Sequence, residues 1–189
     1  MKISTSRIDI VPLCLEELEL IIISRAEFEK KSGCCASGIE LPPAYCEELT
    51  EMLEQNRDAL DKNPNHYLFY TLWVMIHRES KSIVGQFSFN AKPNADGEVE
   101  VFFSIKEPYR RRGYAYEVMQ GVIGWASESG LIRKFLVEAG FDNKAAMASL
   151  KKLGFRPVLP NDVESDVSPS KYYLRVVKPD TLNEDLDFD

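Results

Sequence analysis

One strand-turn-helix segment near the middle of the chain constrains its fold more than any other stretch. Apolar side chains at odd positions from Val99 to Ile105 share one face of a predicted strand, while Glu98 and Glu100 lie on the other face. Residues 108–117, Pro-Tyr-Arg-Arg-Arg-Gly-Tyr-Ala-Tyr-Glu, follow and begin an amphipathic helix that extends to about residue 129. Unpaired N–H groups and the positive end of the dipole make a helix N-terminus an anion site. The segment therefore predicts a strand that leads into a phosphate-binding turn.

The spacing within this turn excludes two common nucleotide-binding loops. The turn has one glycine and no Gly-Lys-Ser/Thr, so neither the P-loop nor the Gly-x-Gly-x-x-Gly loop of dinucleotide folds fits. The pattern that does fit is Arg/Gln-x-x-Gly-x-Gly/Ala, at Arg110, Gly113 and Ala115. A second block, residues 143–155, begins Asn-x-x-Ala and ends Lys-Leu-Gly-Phe.

The two blocks together resemble the GCN5-related N-acetyltransferase (GNAT) superfamily, and the resemblance is clearest over residues 73–155. The strand block over residues 73–85 and the Gly-Tyr-Ala-x-Glu end of the turn are most similar to the branch that acetylates ribosomal-protein N-termini, the RimJ/RimL-like branch. The resemblance implies an α/β (α+β) acyl-CoA N-acyltransferase fold, with a central twisted mixed β-sheet flanked by helices. It also implies acetyl-CoA as the co-substrate and no metal.

Periodicity along the whole chain predicts a strand, two helices, three strands, and then a helix, a strand, a helix and two strands. That order is typical of a mixed α/β sheet. The first elements are a strand from Ile8, helices over residues 15–31 and 43–62, and strands over residues 68–77 and 82–89. The last ones are strands over residues 134–139, 155–159 and 171–177 and a helix over residues 143–153. We expect one domain over residues 1–179 and a flexible acidic tail over residues 180–189.

Charge and cysteine usage exclude several classes of partner. The net charge of −7 would repel a nucleic acid, although the run from Arg110 to Arg112 leaves RNA binding as a weaker hypothesis. The four cysteines show no Cys-x-x-Cys spacing, so we expect reduced thiols and no zinc site. No apolar run approaches the length of a membrane span, and Met1 leads straight into a strand pattern. We therefore expect a soluble cytoplasmic protein, either monomer or homodimer.

The cofactor site predicted by the resemblance centres on the turn. The pyrophosphate of CoA would be held by Arg110 and by the backbone N–H groups of the next five residues, where Gly113 removes an obstructing Cβ; those five are Arg111, Arg112, Gly113, Tyr114 and Ala115. Tyr116 stands where the family often has Thr or Ser. The alternative is a basic surface turn that caps a helix.

Two further contacts to the cofactor are implied by the same resemblance. The backbone of Phe103 and Ile105 would pair with the amides of pantetheine, as an added strand would. Asn143 would hydrogen-bond the cofactor and begin the next helix, although Asn is also simply a good N-cap.

The catalytic hypothesis depends on an acid or base near the reacting groups. An amine must lose its proton to attack, so a general base would assist, and Glu100 is the candidate, with Glu98 in reserve. The two positions where the family usually places a proton donor for the thiolate hold Leu150 and Ala146. Ser149 on the same helix is the substitute, and Tyr172 or Tyr173 on the last strand are the alternatives.

These predictions together describe an N-acetyltransferase that moves acetyl from acetyl-CoA directly to a primary amine in a ternary complex. The acceptor would be a protein N-terminus or a small-molecule amine. By resemblance, the first half of the chain forms the acceptor side. The helix over residues 43–62 is rich in acids that would attract a cationic amine, although a solvated helix face explains the same charges. A non-catalytic acyl-CoA-binding or regulatory module is the alternative, because both usual proton donors are missing.

Overall fold

The computed structural model describes residues 1–62, 67–139, 143–158 and 171–175. The strands are β1 (Ile3–Ser4), β2 (Ile8–Pro12), β3 (Leu72–His77), β4 (Ile83–Phe89), β5 (Glu98–Ile105), β6 (Lys134–Glu138), β7 (Arg156–Pro157) and β8 (Lys171–Arg175). The helices are α1 (Leu15–Ile23), α2 (Arg25–Lys31), α3 (Pro43–Lys62), α4 (Tyr114–Ser129) and α5 (Lys144–Lys152). Two short 3-10 turns, Tyr67–Phe69 and Glu107–Tyr109, precede β3 and α4.

Within the described ranges, eight strands form one sheet in the spatial order β1-β2-β3-β4-β5-β6-β8-β7. Neighbouring strands are antiparallel except β5 and β6, which run parallel and are connected through α4. The mixed sheet flanked by helices that the sequence predicts is confirmed.

Helix α4 packs against one face of this sheet. Trp73 on β3, Phe87 on β4 and Phe135 on β6 are at most 1% exposed and share a core with Met119 and Val122 of α4. Trp73 and Phe87 meet edge to face, with ring centroids 6.1 Å apart. Burial of each such side chain stabilises the fold by roughly 1.5–3 kcal/mol, so this packing holds α4 against the sheet.

Helices α1, α2 and α3 cover the opposite face. Leu18 of α1, Phe28 of α2 and Leu49 of α3 form a second core with Val74 of β3 and Ile83 of β4. Because side chains alternate along each strand, β3 and β4 contribute different side chains to the two cores.

The single helix predicted over residues 15–31 is wrong, because two helices meet at Ser24. Its backbone is extended (φ −155°, ψ 105°), and its Oγ accepts a hydrogen bond from the N–H of Glu27 at 3.3 Å. A serine side chain that bonds the backbone in this way starts a new helix more readily than it continues an old one.

The strand predicted over residues 68–77 begins only at Leu72. The residues before Leu72 form a 3-10 turn, and the indole N–H of Trp73 donates to the carbonyl of Leu68 at 2.8 Å. Thr71 is buried, and its hydroxyl donates to the carbonyl of Leu13 at 2.6 Å. Apolar character continues through both segments, so the pattern alone does not separate the turn from the strand.

Strand β5 extends beyond the last of its residues that pairs with β6. The last parallel pair joins Val101 to Val137, whereas pairing with β4 continues to Ile105. Residues 102–105 thus have a strand neighbour on one side only among the described residues. This divergence opens a gap in the middle of the sheet.

Some predictions concern residues outside the described ranges. These are the acidic tail over residues 180–189 and the last residues of the two C-terminal strands. In the ranges that the structure describes, no helix has the length and apolarity needed to cross a bilayer. The same ranges hold no group of three or more His, Cys, Asp or Glu side chains placed to bind a metal ion.

Gly85 on β4 offers a test of how closely β4 packs against β5. A Cβ there would press on the carbonyl oxygen of Ser104 and lie 2.9 Å from Sδ of Met75. Because the Ser104 carbonyl is backbone, we expect Gly85→Ala to lower the free energy of unfolding by about 1–3 kcal/mol in a urea titration.

Gly124→Ala is the matched control for this substitution. Gly124 lies in α4, and nothing lies within 4 Å of a Cβ built there. Alanine should therefore raise the free energy of unfolding by about 0.5–1 kcal/mol. Equal midpoints for wild type and Gly85→Ala would contradict the close approach of β4 and β5.

Candidate active site

A cavity of about 640 Å³ lies where the gap between β5 and β6 meets the turn before α4 and one side of α5. Known small-molecule and cofactor sites have volumes of roughly 300–1,000 Å³. Nine of the residues predicted for the site line this cavity: Phe103, Ile105, Arg110, Arg111, Gly113, Tyr114, Ala115, Asn143 and Ser149. The other two predicted residues, Arg112 and Glu100, lie outside its lining.

Some of the backbone N–H and carbonyl groups of β5 point toward the cavity. The carbonyl of Glu100 and the N–H of Lys106 both bond backbone groups on the β4 side at 2.9 Å. Since a strand alternates the direction of its polar groups, Phe103 and Ile105 direct theirs to the β6 side. Pairing with β6 has ended there at Val101. The strand therefore presents an open edge to whatever enters the cavity.

The turn between β5 and α4 continues this edge with a row of N–H groups. Arg111 and Gly113 are left-handed, with φ of 60° and 79°. Throughout the described part of the chain, no acceptor lies in hydrogen-bond geometry with the N–H groups of residues 111–115. Successive N–H groups in such a turn form an anion-binding concavity, and the dipole of α4 adds to its positive potential.

Gly113 is required by backbone conformation rather than by space within the protein. A Cβ at this position would lie 3.6 Å from Nη2 of Arg7, which is an ordinary contact. At φ 79°, however, any side chain other than hydrogen is strained.

The arginines of the turn form contacts within the protein. Nε of Arg110 donates to the carbonyl of Ile105 at 3.0 Å, which closes the end of β5. The guanidinium of Arg112 lies 5.8 Å from the ring centre of Tyr109. A candidate anion site at this turn would therefore consist mainly of backbone N–H groups, since the side chains of Arg110 and Arg112 contact other parts of the protein.

Helix α5 brings Asn143 and Ser149 to the cavity. Oδ1 of Asn143 accepts from the N–H of Ala146 at 3.1 Å, so Asn143 caps the helix while also lining the cavity. The hydroxyl of Ser149 donates to the carbonyl of Ala145 at 3.0 Å. As a proton donor in a reaction, Ser149 would first have to release this bond.

The other positions considered for a proton donor differ in their surroundings. Leu150 is 1% exposed, and both it and Ala146 border the cavity with apolar groups. Tyr172 lies on β8 opposite Val137 of β6, the strand that borders the cavity, and Tyr173 is its neighbour in the same strand. Geometry therefore does not distinguish one of these positions as the proton donor for the thiolate.

Glu100 lies on the face of β5 that α1, α2 and α3 cover. Its Oε2 accepts from Nδ2 of Asn90 at 3.2 Å. Glu98, the reserve base, forms an ion pair of 2.6 Å with Lys134.

The cavity is also lined by residues for which the sequence suggested no role, among them Phe102, Ser104 and Tyr116. Phe102 and Ser104 reach it from the Glu100 face of β5, and Phe102 is 46% exposed. The signal in the sequence for this contact is that Phe102 is aromatic at a position where the alternation along β5 predicts a polar residue. Tyr116 lines the cavity as well, and its hydroxyl accepts from Nε2 of Gln120 at 3.0 Å.

Lys106, directly after β5, is the titratable group most altered near the site. Burial, reinforced by the nearby charge of Arg25, lowers the pKa of its ammonium to about 8, against the opposing influence of Glu29 and Cys34. Lys106 thus carries a charge at neutral pH in surroundings that disfavour it.

Sequence comparison identifies relatives of the chain. A family model described as "Acetyltransferase (GNAT) domain" matches residues 7–156. "Uncharacterized N-acetyltransferase YjdG" of Bacillus subtilis (strain 168) is 30% identical over 105 residues, or 56% of this chain. The match spans 62% of that relative, which is less than two thirds of its length.

Solved structures share the fold at low sequence identity. An acetyl transferase from Salmonella typhimurium that modifies the N-terminal serine of ribosomal protein L7/L12 superposes with a TM-score of 0.61 and 11% identity, over 93% of this chain and 99% of that one. The microcin C7 self immunity acetyltransferase MccE, solved with acetyl-CoA and AMP, has a TM-score of 0.56 and 16% identity, over 90% and 93% of the chains. At such low sequence identities, the likeness shows a shared fold and nothing further.

Replacement of Lys106 by methionine tests its buried charge. The folded-state pKa of about 8 lies below the usual value of 10.5, so the unfolded chain binds more protons between these pH values, and wild-type stability rises with pH there. Lys106→Met should therefore be more stable than wild type at pH 7, by on the order of 1 kcal/mol after allowance for solvent screening. Its advantage should shrink as the pH rises from 8 to 10.

Denaturant titrations of both proteins at pH 7 and pH 10 measure this difference. Lys92→Met, on an exposed loop, is the control for replacing a lysine by methionine at the protein surface. A Lys106→Met difference that stays constant across this range would refute a lowered pKa for Lys106.

Proposed function

Since the chain belongs to the acetyltransferase (GNAT) family, we propose that it transfers acetyl from acetyl-CoA directly to a primary amine, with both substrates bound at once. In this proposal the protein is an acetyl-CoA-dependent N-acetyltransferase, and acetyl-CoA is its co-substrate. The acceptor is a protein N-terminus or a small-molecule amine. Cytoplasmic location and the oligomeric state stay predictions from the sequence.

The open backbone edge that runs from β5 into the turn supports acetyl-CoA as the donor. Phe103 and Ile105 direct amide groups into the cavity, and the N–H groups of residues 111–115 follow without an acceptor among the described residues. CoA has the complementary order of groups, because the two amides of pantetheine precede a pyrophosphate. An extended amide chain can pair with an open strand edge, and a pyrophosphate matches a concavity of N–H groups.

The chemistry of acetyl transfer defines what the protein must supply. The amine nitrogen forms a bond to the thioester carbonyl carbon, the C–S bond breaks, and the sulfur leaves with the electron pair. The amine loses a proton, and in our proposal Glu100 receives it directly or through water. Ser149, Tyr172 or Tyr173 returns a proton to the sulfur.

An α-amino acceptor suits this chemistry better than a lysine side chain. The pKa of an N-terminal amine is about 7.7–8.0, against about 10.4 for lysine, so a larger fraction is neutral near pH 7. The Salmonella typhimurium neighbour named above modifies an N-terminal serine, which is the same type of amine.

The acceptor would approach from the side of α3. Tyr45, in the first turns of α3, has its hydroxyl near the side chain of Gln86 of β4, and burial raises the pKa of Tyr45 to about 12. Gln86 is the β4 partner of Ser104, which borders the cavity. Four exposed acids follow Tyr45 along α3, at Glu47, Glu48, Glu51 and Glu54. They place negative charge beside this approach, which would attract a cationic amine.

Isothermal titration with acetyl-CoA tests the donor site. Wild type should bind saturably, and Gly113→Glu should weaken binding by about 100-fold or more, because it strains a left-handed residue and places a negative charge at the N–H row.

Gly38→Glu is a matched control for this variant. Gly38 is also left-handed, at φ 65°, and lies away from the cavity lining. It should bind acetyl-CoA as wild type does. Absence of binding to wild type would refute the proposed function, whereas binding without turnover of any amine tested would favour the non-catalytic alternative.

The Glu100→Gln variant tests the proposed base. Glutamine keeps the size and the hydrogen bond to Asn90 but cannot accept a proton, so kcat should fall by about 10²–10³-fold while the Kd for acetyl-CoA is unchanged. Glu98→Gln, two residues earlier on the same face, should retain most activity. Equal turnover in wild type and Glu100→Gln would remove Glu100 from the mechanism.

A further inference from the structure

A dense set of polar contacts lies behind the turn that precedes α4, and none of its members lines the cavity. Glu117 in the first turns of α4 accepts hydrogen bonds from the hydroxyl of Thr5 at 2.6 Å, the hydroxyl of Ser6 at 3.0 Å and the N–H of Arg7 at 2.7 Å. The Arg7 guanidinium also contacts this carboxylate, at 2.7 Å from Nε and 2.6 Å from Nη2. We refer to Thr5, Ser6, Arg7 and Glu117 as the N-terminal clamp.

Arg7 reaches beyond Glu117 to the turn itself. Its Nη1 donates to the carbonyl of Arg112 at 3.1 Å, and its guanidinium lies 4.7 Å from the ring centre of Tyr114. The Arg7 side chain therefore contacts the turn at Arg112 and the start of α4 at Tyr114 and Glu117. Such a planar fork, with several donors at fixed angles, is a property of arginine that lysine lacks.

The Glu117 carboxylate is well enclosed for a surface residue. Its side chain is 13% exposed, against 45% for Arg7. Burial alone would raise the pKa of Glu117, but hydrogen bonds from Thr5, Arg7 and Ser6 outweigh this effect and lower it. Glu117 is therefore ionised in the folded protein, and the clamp carries its full charge-assisted hydrogen bonding.

The clamp is anchored to the sheet. Nη1 of Arg78, just after β3, donates to the carbonyl of Thr5 at 3.0 Å, and the N–H of Arg78 donates to the carbonyl of Arg7 at 2.8 Å. The N–H of Thr5 also bonds the carbonyl of Ile8 at 2.8 Å, which closes the β1–β2 turn. Residues 5–7 thus have fixed positions from which to hold the turn.

A planar trans peptide explains how the clamp affects the other side of the turn. The carbonyl of Arg112 and the N–H of Gly113 belong to one peptide group, and in a trans peptide they point in opposite directions. Arg7 holds the carbonyl, so the N–H of Gly113 faces away from Arg7. Gly113 lines the cavity while Arg7 does not.

We propose that Arg7 and Glu117 are positioning residues for acetyl-CoA, which hold the turn so that its N–H groups face the pyrophosphate before the donor binds. This inference rests on the proposed function. The turn contains a left-handed non-glycine residue, Arg111, whose conformation is intrinsically unfavourable. Without the clamp the turn would relax toward ordinary backbone angles, and donor binding would have to order it again.

Comparison of CoA with pantetheine separates this role from general support of the fold. Pantetheine carries the amides that pair with β5 but lacks the pyrophosphate. Chemical-shift titrations of Arg7→Ala should show a roughly tenfold higher Kd for CoA and an unchanged Kd for pantetheine. Arg7→Lys should lose less CoA affinity than Arg7→Ala, because lysine keeps the ion pair but cannot span Glu117 and the Arg112 carbonyl together.

Arg57→Ala is the matched control. Arg57 forms an ion pair of 2.8 Å with Glu19 and is 55% exposed, but it lies on α3 away from the turn. It should bind both ligands as wild type does. If Arg7→Ala does not fold, Arg7→Lys and Glu117→Gln, which retain hydrogen-bonding groups, carry the same comparison.

Three results would overturn this proposal. Wild-type CoA affinity in folded Arg7→Ala would show that the clamp does not position the turn. An equal loss of CoA and pantetheine affinity would show that it supports the whole domain instead. Absence of CoA binding to wild type would refute the proposed function itself, and the clamp proposal with it.

Discussion

Backbone polar groups inside a protein must find partners, and in this molecule the parallel pair formed by β5 and β6 ends before β5 does. The N–H and carbonyl of Phe103 and the N–H of Ile105 face a gap in the sheet, while the carbonyl of Ile105 accepts a hydrogen bond from Arg110. The turn that follows adds N–H groups for which the described residues provide no acceptor. The cavity, the order of groups along it and the place where a donor would lie all derive from this unpaired edge.

The charged side chains around the unpaired edge of β5 have a secondary role. The run from Arg110 to Arg112 gives the sequence its most visible anion signal, yet two of these side chains contact Ile105 and Tyr109 within the protein. Arg111 and Gly113 are left-handed, and in our proposal Arg7 sets the direction of the backbone N–H groups by holding the peptide between Arg112 and Gly113. Positive charge therefore raises the local potential, while backbone geometry provides the directed contacts.

Local pattern predicts much of this arrangement. Alternation along β5 places Glu100 and Phe103 on different faces, and the glycine spacing of the turn marks the start of α4. The break at Ser24 is missed because a serine within an apolar-periodic stretch fits a helix equally well until its side chain caps the next one. The early end of pairing between β5 and β6 is missed for a different reason, since strand pairing depends on residues far apart in sequence.

The N-terminal clamp shows how a large separation in sequence between contacting residues affects the folding of the protein. Thr5 and Glu117 are 112 residues apart, so their contact closes a long segment of chain and carries the entropic cost of doing so. Contacts of this kind form slowly, and here one of them completes the binding surface. We expect the nascent chain to lack an organised donor site until α4 has been synthesised and has met the first strands. In the proposed function, bound acetyl-CoA would from then on favour the folded form by mass action, and would thus act as a late folding ligand as well as a reactant.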